Sequence, residues 1–196
     1  MTASTYQGYQ ITTGAANLLL TLDEVRAHLN LPSGLGNDNY LTALIRAATK
    51  AVETYTGLSL LSQTVKDVHD CFPAGRMPVF LRLAPVSAVV SIDYTDTAGD
   101  AQTWASSEYE TELTSSPARL APGVGYSYPA TLSKIGAVEI TYIAGFGATA
   151  ASIPQDIIHA VKLMLTDYYE NRGEAPRQMR TSAQALLAPY CNYTIL

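Results

Sequence analysis

Residues 152–173, SIPQDIIHAVKLMLTDYYENRG, decide the fold that this sequence predicts. At about 3.6 residues per turn, the apolar side chains of this stretch share one side of a helix: Ile157, Ile158, Val161, Met164, Leu165 and Tyr168. Pro154 suits the first turn, where its missing N–H is no loss, and Gly173 is typical of the residue that ends a helix. Asp156 in the first turn and Arg172 in the last complement the helix dipole. We therefore expect a long helix that covers the core of the domain.

A second amphipathic helix is predicted after Asn37 and Asp38, running to Tyr55 and ending before Gly57. Its apolar residues fall within one narrow arc that faces a core: Leu41, Leu44, Ile45, Ala48, Val52 and Tyr55. On the opposite side, small residues recur every four positions: Ala43, Ala47 and Ala51. This row either allows close approach of another helix, in this subunit or a neighbouring one, or reflects only the high helix propensity of alanine.

The rest of the chain follows other patterns. Residues 1–17 are polar, and we expect them to form a flexible or extended arm. Thr21 then opens a short helix with a capping-box sequence. From Leu58 onward apolar and polar residues alternate, most clearly at residues 138–142, and residues 96–100 have the composition of a hairpin turn. The sequence therefore predicts an antiparallel β unit between helical ends.

Composition narrows the classes of function. The 196 residues carry a net charge of −5, and residues 58–150 hold nine acids against five bases, which argues against a nucleic-acid-binding surface. Cys71 and Cys191 match no metal-ligand spacing, and we expect two free thiols. The sequence shows neither a signal-peptide pattern nor an apolar run near the roughly 20 residues of a membrane span, so we expect a soluble, cytoplasmic protein.

Candidate chemistry is sparse in this sequence. Gly145-Phe146-Gly147 lies between a strand and a helix, where phosphate-binding loops occur, but no Gly-Lys-Ser/Thr follows, and a tight turn is the alternative. His28, His69 and His159 lie in separate elements without ligand spacing. No Gly-x-Ser-x-Gly motif is present. We therefore expect no catalytic residue, no cofactor and no metal site.

Two features instead indicate a surface that faces another protein. Arg172, Arg177 and Arg180 cluster past the long helix, in a region with four acids and four bases, which favours a solvated or protein-facing cluster over a DNA site. Leu163 projects from the predicted polar side of the long helix. Together with the alanine row, it is consistent with helices that have one face in the fold and another toward a neighbour.

Six segments, in a fixed order, carry a family resemblance: LTLDEVRAHLNL (20–31), LTALIRAATKAVETYTGLSLLSQT (41–64), LRLAPVSAVVSIDYTDTAG (81–99), VEITYIAGFG (138–147), IPQDIIHAVKLMLTDYYENRG (153–173) and LLAPY (186–190). With Trp104 after the third segment, the chain resembles the head–tail connector, or adaptor, proteins of long-tailed bacteriophages and gene transfer agents. The resemblance covers most of the sequence. It rests on order and spacing, because no single motif is catalytic or unique.

The resemblance implies an α+β fold, in which the N- and C-terminal helices form a small bundle with an inserted antiparallel β subdomain. The expected boundaries are 1–57 for the arm and two bundle helices, 58–147 for the β subdomain, 148–173 for the long bundle helix, and 174–196 for a C-terminal docking tail. The β insertion is larger than in the smallest members of this family.

The function implied by the resemblance is that of a structural virion protein. It would assemble as a ring, typically of twelve copies, below the portal protein, and link the DNA-filled head to the tail. The docking tail would bind the portal, another surface would receive stopper or tail-completion proteins, and DNA would pass through the lumen without sequence-specific binding. The isolated chain can be monomeric. The expected location is the virion neck, and the host cytoplasm during assembly.

Alternatives remain at this stage: a stopper or tail-terminator ring protein, or, from another class, a small enzyme or ligand-binding module that uses the Gly145–Gly147 loop. The residues expected at protein interfaces are Ala43, Ala47, Ala51, Leu163, Arg172, Arg177, Arg180, Leu186, Leu187 and Tyr190. We also expect deletion from Ser182 onward to leave the fold intact but weaken portal binding, because this segment offers little periodic apolar surface to a core.

Overall fold

A computed structural model describes residues 6–32, 37–172, 179 and 181–191 of the chain. Within these residues the chain divides into two compact units. The β unit contains residues 6–14 and 62–145, and the helical unit contains the described parts of residues 15–61 and 146–191. Helices and antiparallel sheets are thus combined in one chain, with the β segment inserted between helical ones, which confirms the α+β class expected from the sequence.

The strands of the β unit are β1 Tyr6–Thr13, β2 Gln63–His69, β3 Val79–Phe80, β4 Val86–Thr95, β5 Ala101–Thr103, β6 Tyr109–Glu112, β7 Arg119–Pro122 and β8 Val138–Ala144. Among the described residues they form a five-stranded sheet, ordered β1-β2-β8-β4-β5, and a three-stranded sheet, ordered β3-β7-β6. Every strand pair in both sheets is antiparallel. The long strands β2, β8 and β4 form the centre of the larger sheet.

The core of the β unit follows the alternation predicted for its strands. In β8, alternate side chains are fully or almost fully buried: Val138, Ile140, Tyr142 and Ala144. An aromatic cluster extends this core, with the Phe72 ring stacked 4.8 Å from that of Tyr128 and edge-on at 5.4 Å to that of Trp104. Aromatic pairs at these centroid distances add about 0.5–1.5 kcal/mol each beyond the burial of their area.

The hairpin predicted at residues 96–100 is confirmed. Strands β4 and β5 pair in register from Asp93 opposite Thr103 to Thr95 opposite Ala101. The Asp96 carboxylate accepts hydrogen bonds from the turn, with Oδ1 receiving the N–H of Asp100 at 3.0 Å. The carboxylate thus provides an acceptor for a backbone N–H group of the turn. Because aspartate commonly has this role in turns, the composition of residues 96–100 predicted the turn correctly.

The N-terminal segment, expected to be a flexible or extended arm, is extended and pairs as a strand. Residues 6–13 form β1, which pairs with β2 through Ile11 opposite Val65 and Gly8 opposite Val68. They therefore belong to the β unit and not, as the 1–57 boundary implied, with the bundle helices. Gly8 has a φ of +139°, a value that side-chain-bearing residues rarely adopt, and it lies at a register shift of the strand. Polar composition concealed the strand, because an edge strand buries few side chains.

The helices of the helical unit are α1 Leu22–His28, α2 Asp38–Thr56, α3 Gln155–Glu170 and α4 Thr181–Leu187. The capping box of α1 is confirmed, since Thr21 and Glu24 exchange side-chain and backbone hydrogen bonds. Helix α2 begins at an Asn37 N-cap and ends at Gly57, whose φ of +72° is the left-handed C-cap conformation. Its predicted core residues are buried with one exception: Tyr55 is 38% exposed, and Thr56 is buried in its place.

Helix α3 is shorter than the predicted helix at both ends. Pro154 is its N-cap, with an extended ψ of 137°, so the helix starts after the proline instead of including it. At the other end Asn171 is the C-cap, and its side-chain amide donates to the carbonyl of Asp167 at 3.1 Å. Gly173, the predicted stop, lies outside the described residues. The predicted apolar face is confirmed. Asp167, which the sequence analysis placed on the polar side of the helix, is buried beside this face.

The segment from Ser182 is packed and does not form the free tail that we expected. Ala183 and Leu187, four residues apart on one face of α4, are both 0% exposed, and α4 packs against α3. A seven-residue helix shows too few turns for a convincing period, which is why the sequence understated it. The expectation that truncation at Ser182 leaves the fold intact is therefore revised.

Candidate interaction surfaces

The helical unit carries an open groove of about 720 Å³ along α2 and α3. Its lining residues are Ala47, Lys50, Ala51, Thr54, Tyr55, Met164, Tyr168 and Met179. On each helix the lining follows the four-residue repeat, with Ala47, Ala51 and Tyr55 on α2 and Met164 with Tyr168 on α3. Two members of the alanine row thus lie in a groove, as expected for small side chains that leave space beside a helix.

The chemistry of the groove suits an apolar protein segment. Methionine side chains adapt their shape to a partner, and tyrosines are common at the centre of protein interfaces. Tyr55 is 38% exposed, a large fraction for an aromatic side chain beside a well-packed helix. The arrangement resembles the grooves in which proteins bind an apolar anchor from another chain.

The charge of this groove comes from Lys50, whose side chain is 64% exposed. Its nearest acid, Glu53, lies 4.0 Å away and is only 17% exposed. The Glu53 carboxylate accepts the N–H of Leu60 at 3.0 Å, so it is directed into the fold, and burial raises its pKa above the usual range. The exposed charge at the groove is therefore positive.

A second surface feature joins the start of α2 to the end of α3. The Arg172 guanidinium lies 4.3 Å from the ring centroid of Tyr169 and 5.4 Å from that of Tyr40. Its Nε also donates to the carbonyl of Tyr169 at 2.9 Å. These contacts fix an exposed cation at the end of α3, from which it can pair with an acidic group of another protein.

The other predicted interface residues lie in several places. Ala43 is exposed outside the groove lining, and Leu163 and Leu186 are half-buried on α3 and α4. The Tyr190 hydroxyl donates to Asp156 at 3.5 Å. Leu187 is fully buried, so in this arrangement it supports the fold and presents no surface to a partner. Arg177 and Arg180 lie outside the described residues.

Three groove residues were missed as surface candidates by the sequence: Tyr55, Tyr168 and Met179. Met164 is only 2% exposed and belongs to the core, as predicted, whereas Tyr55 and Tyr168 had been assigned to apolar core faces. A broad apolar face with a tyrosine at its edge is a weak indication of a surface groove. One neighbouring helix cannot cover such a face completely, so the residues at its edge remain partly exposed.

The Gly145–Gly147 loop has a structural explanation. The N–H of Gly145 donates to the carbonyl of Pro85 at 2.8 Å, and that of Phe146 to the carbonyl of Leu60 at 3.1 Å. A phosphate-binding loop needs such N–H groups for its ligand, so these two do not serve one. Gly147 is also required sterically, since a Cβ there would lie 2.6 Å from the Cβ of Ser152.

Two ionisable groups of the β unit, Asp67 and His69, are buried. No group of three His, Cys, Asp or Glu side chains within the described ranges is placed to hold a metal ion, and neither Cys71 nor Cys191 forms a disulfide. Asp67 has its pKa raised by burial to about 6, but its side chain is fully buried. His69 is also buried, which lowers its pKa. No helix in the described part is both long and apolar enough for a bilayer.

Comparisons with known proteins converge on one kind of assembly. The family model for head completion proteins matches residues 18–184. A chain in the neck of an empty gene transfer agent (GTA) particle, computed with C6 symmetry, is 27% identical with a TM-score of 0.81, over 97% of this chain and 98% of that one. No curated protein matches this chain.

Two further solved structures are similar to the same extent. A chain in the virion of a native GTA particle is 28% identical with a TM-score of 0.80, over 96% of this chain and 97% of that one. A chain in the neck of a native GTA particle, computed with C12 symmetry, is 26% identical with a TM-score of 0.80, over 97% of this chain and 98% of that one.

Proposed function

The chain belongs to the head completion protein family, and we propose that it acts as a head–tail connector ring in the neck of a phage-like or gene transfer agent particle. The observation that carries this proposal is the similarity, over nearly the whole length of both chains, to a protein in the GTA neck. The similarity covers both the β unit and the helical unit. It therefore supports a common role of the two proteins and not only the presence of one common domain.

A ring of twelve copies fits the proposal. The similar neck structures were computed with C6 and with C12 symmetry, and a twelvefold ring has both symmetries. A structural role without catalysis also suits the surfaces, since the groove and the Arg172 site have the character of protein contacts. The backbone of the Gly145–Gly147 loop is occupied within the fold, which disfavours the ligand-binding alternative.

The partners that we propose are the portal protein on one side of the ring and stopper or tail-completion proteins on the other, with DNA passing through the lumen. The alanine row, Leu163 and the Arg172 region remain candidates for these contacts. In the C-terminal segment we now assign Leu187 to holding α4 on α3. The half-exposed Leu186 and Tyr190 are the tail residues that we propose for docking on the portal.

Electron microscopy of particles made with and without this protein tests the proposal. We expect DNA-filled heads that lack tails in its absence, and a labelled copy of the chain at the neck when it is restored. The purified chain should also bind the portal protein of the same particle. Tailed particles of normal appearance without the chain, together with no binding to portal or tail proteins, would contradict the connector function.

A further inference from the structure

Strand β1 is an open edge of the five-stranded sheet. Among the described residues it pairs on one side only, with β2. The N–H and C=O groups on the other side of such a strand can bind an extended segment of another chain. Free edges are therefore usually protected by charges, prolines, bulges or short length. The eight residues of β1, YQGYQITT, include neither a charge nor a proline.

The open edge has a regular stretch with an incompletely covered face. The register of β1 on β2 shifts near each end, which leaves residues 8–11 as the regular stretch. Here Tyr9 and Ile11 lie opposite Asp67 and Val65, two buried residues of β2, so they share the core face of the sheet. They are nevertheless 40% and 38% exposed. A strand added at this edge would bury more of both side chains.

The other edge strands of the two sheets are less suited to bind a strand. Strands β3 and β5 have two and three residues, and β6 carries two glutamates. Two β1 strands that paired with each other would join identical surfaces, and such a contact stops at a dimer. A ring contact through β1 therefore needs a different segment of the neighbouring copy.

The residues that follow Cys191 have the composition of such a segment. Residues 192–196, NYTIL, include a tyrosine, a threonine and an isoleucine, which are types with high β propensity, and no charge or proline. We propose that residues 192–196 of one copy pair with β1 of the neighbouring copy as an added strand. The inference rests on the ring proposed above and names a contact that builds it.

The other stretches outside the described residues do not have this composition. Residues 33–36, SGLG, contain two glycines, and residues 173–178, GEAPRQ, contain a proline and two charges. Glycine and proline are both unfavourable inside a strand. Residues 1–5 directly precede β1 in the same chain. Residues 192–196 are therefore the stretch that suits strand addition.

Length and side-chain alternation also match. At about 3.3 Å per residue, residues 192–196 span about 16 Å as a strand, which is enough to cover the regular stretch of β1. Alternation places Tyr193 and Ile195 on one face of that strand. On the core face they would lie beside Tyr9 and Ile11, as aromatic and β-branched pairs of the kind that stabilise sheets.

The proposed contact produces the kind of assembly that the connector function requires. Residues 192–196 and β1 are different parts of the chain, so the contact is heterologous and repeats from copy to copy until a ring closes. Backbone hydrogen bonds supply the affinity of such strand addition, and alternate side chains supply its specificity. Leu186 and Tyr190, proposed above for docking on the portal, precede this segment and take no part in the pairing.

Disulfide trapping in purified necks tests the contact. In a chain with Cys71→Ser and Cys191→Ser, Gln10→Cys on β1 is combined in turn with a cysteine at each position from 192 to 196. Because side chains alternate between the faces of a strand, mild oxidation should give a ladder of covalent multimers at alternate positions only. The matched control replaces Gln10→Cys by Gln102→Cys, at an exposed glutamine on the opposite edge of the same sheet, and should give no ladder.

The outcomes separate this contact from the connector function. A neck ring that is visible by electron microscopy but gives no ladder, or gives the same ladder in the Gln102 control, overturns the contact and leaves the connector in place. A disulfide within one chain, or to another neck protein, does the same. Particles with no ring of this chain overturn both.

Proline substitution gives a second readout. Tyr193→Pro combined with Thr194→Pro removes the backbone donor of whichever residue faces β1, and should lower the amount of the chain retained in necks by about tenfold or more. Tyr193→Val combined with Thr194→Val keeps both donors and high β propensity, and should leave that amount unchanged. Equal retention of the two variants would also contradict the contact.

Discussion

The buried carboxyl group of Asp67 should make the β unit more stable in mild acid than at neutral pH. Asp67 lies in β2 and is 0% exposed. It accepts hydrogen bonds from the Tyr142 hydroxyl at 3.2 Å and from the N–H of Arg82 at 3.3 Å. Burial disfavours the charged form and raises the pKa to about 6, although these hydrogen bonds and the nearby Arg82 charge oppose the change.

The sign and size of the effect follow from proton linkage. The ordinary pKa of the group is 3.8 and its folded value is about 6, so between these values the folded protein binds a proton that the unfolded chain has lost. The stabilisation is complete below pH 3.8 and is lost as the pH rises through 6. The difference of about 2.2 pH units, at about 1.4 kcal/mol per unit, corresponds to about 3 kcal/mol.

The Asp67→Asn variant removes this titration, and urea denaturation between pH 4 and pH 7 measures the result. Trp104, the single tryptophan, lies in the β-unit core at 3% exposure, so its fluorescence reports on the unfolding of that unit. The free energy of unfolding of the original chain minus that of the variant should fall by about 2.4 kcal/mol from pH 4 to pH 7, because at pH 4 the unfolded carboxyl is still partly protonated. Effects of the amide that do not depend on pH cancel when the difference at pH 7 is compared with that at pH 4. The titration of His69 largely cancels too, because His69 is present in both proteins.

Two further variants check the assignment. Tyr142→Phe removes a hydrogen bond that favours the charged carboxylate, so the pKa of Asp67 should rise further and the pH-dependent change in stability should become larger and extend to higher pH. Asp96→Asn should act in the opposite direction, because hydrogen bonds from Asp100 and Gln102 hold the pKa of that exposed carboxyl below its usual range. If the Asp67→Asn difference does not change with pH, Asp67 is charged in the folded protein and the reasoning fails.

Three further predictions concern packing and charge in the helical unit. Leu187→Ala should lower the free energy of unfolding by about 2–5 kcal/mol, since the side chain is fully buried. The control Leu186→Ala, at a half-buried position, should lower it less. Similar losses for the two variants in chemical denaturation would contradict the packing of α4. Gly147→Ala should cost about 1–3 kcal/mol in the same assay, because its methyl group would overlap Ser152. Arg26→Gln breaks ion pairs with Asp23 and Asp38, and should lower the melting temperature in low salt, with a smaller effect in high salt.

Helical period was the most informative property of the sequence. It identified α2 and α3 and most of their buried residues, because each helix has enough turns for an apolar face to emerge. It did not reveal the packing of α4, where two buried residues in seven define no period. It also gave no sign of β1, whose pairing with β2 depends on a strand more than fifty residues away in sequence. Long-range pairing cannot be deduced from the polar composition of one segment.

The candidate groove was predictable only in part. The alanine row drew attention to Ala47 and Ala51 because its spacing lies within one helix. The opposite wall depends on how α3 crosses α2, and Met179 comes from a separate segment of the chain, so no local pattern joins them. Asp67 was hidden for a related reason: strand alternation places it on the core face between Val65 and His69, where a carboxyl group is not expected.

The acidic excess of the β unit bears on the proposed passage of DNA. Asp96 and Glu112 are half-buried residues with solvent-exposed carboxyl groups, and each stabilises a turn by accepting hydrogen bonds. The hydrogen bonds from Ser115 and Thr114 lower the pKa of Glu112 to about 2. Both therefore remain charged in mild acid. Negative groups repel DNA phosphates, so these two turns are poorly suited to hold DNA. Because the same carboxylates stabilise the turns, amide substitutions at both would weaken the loops and reduce the repulsion together.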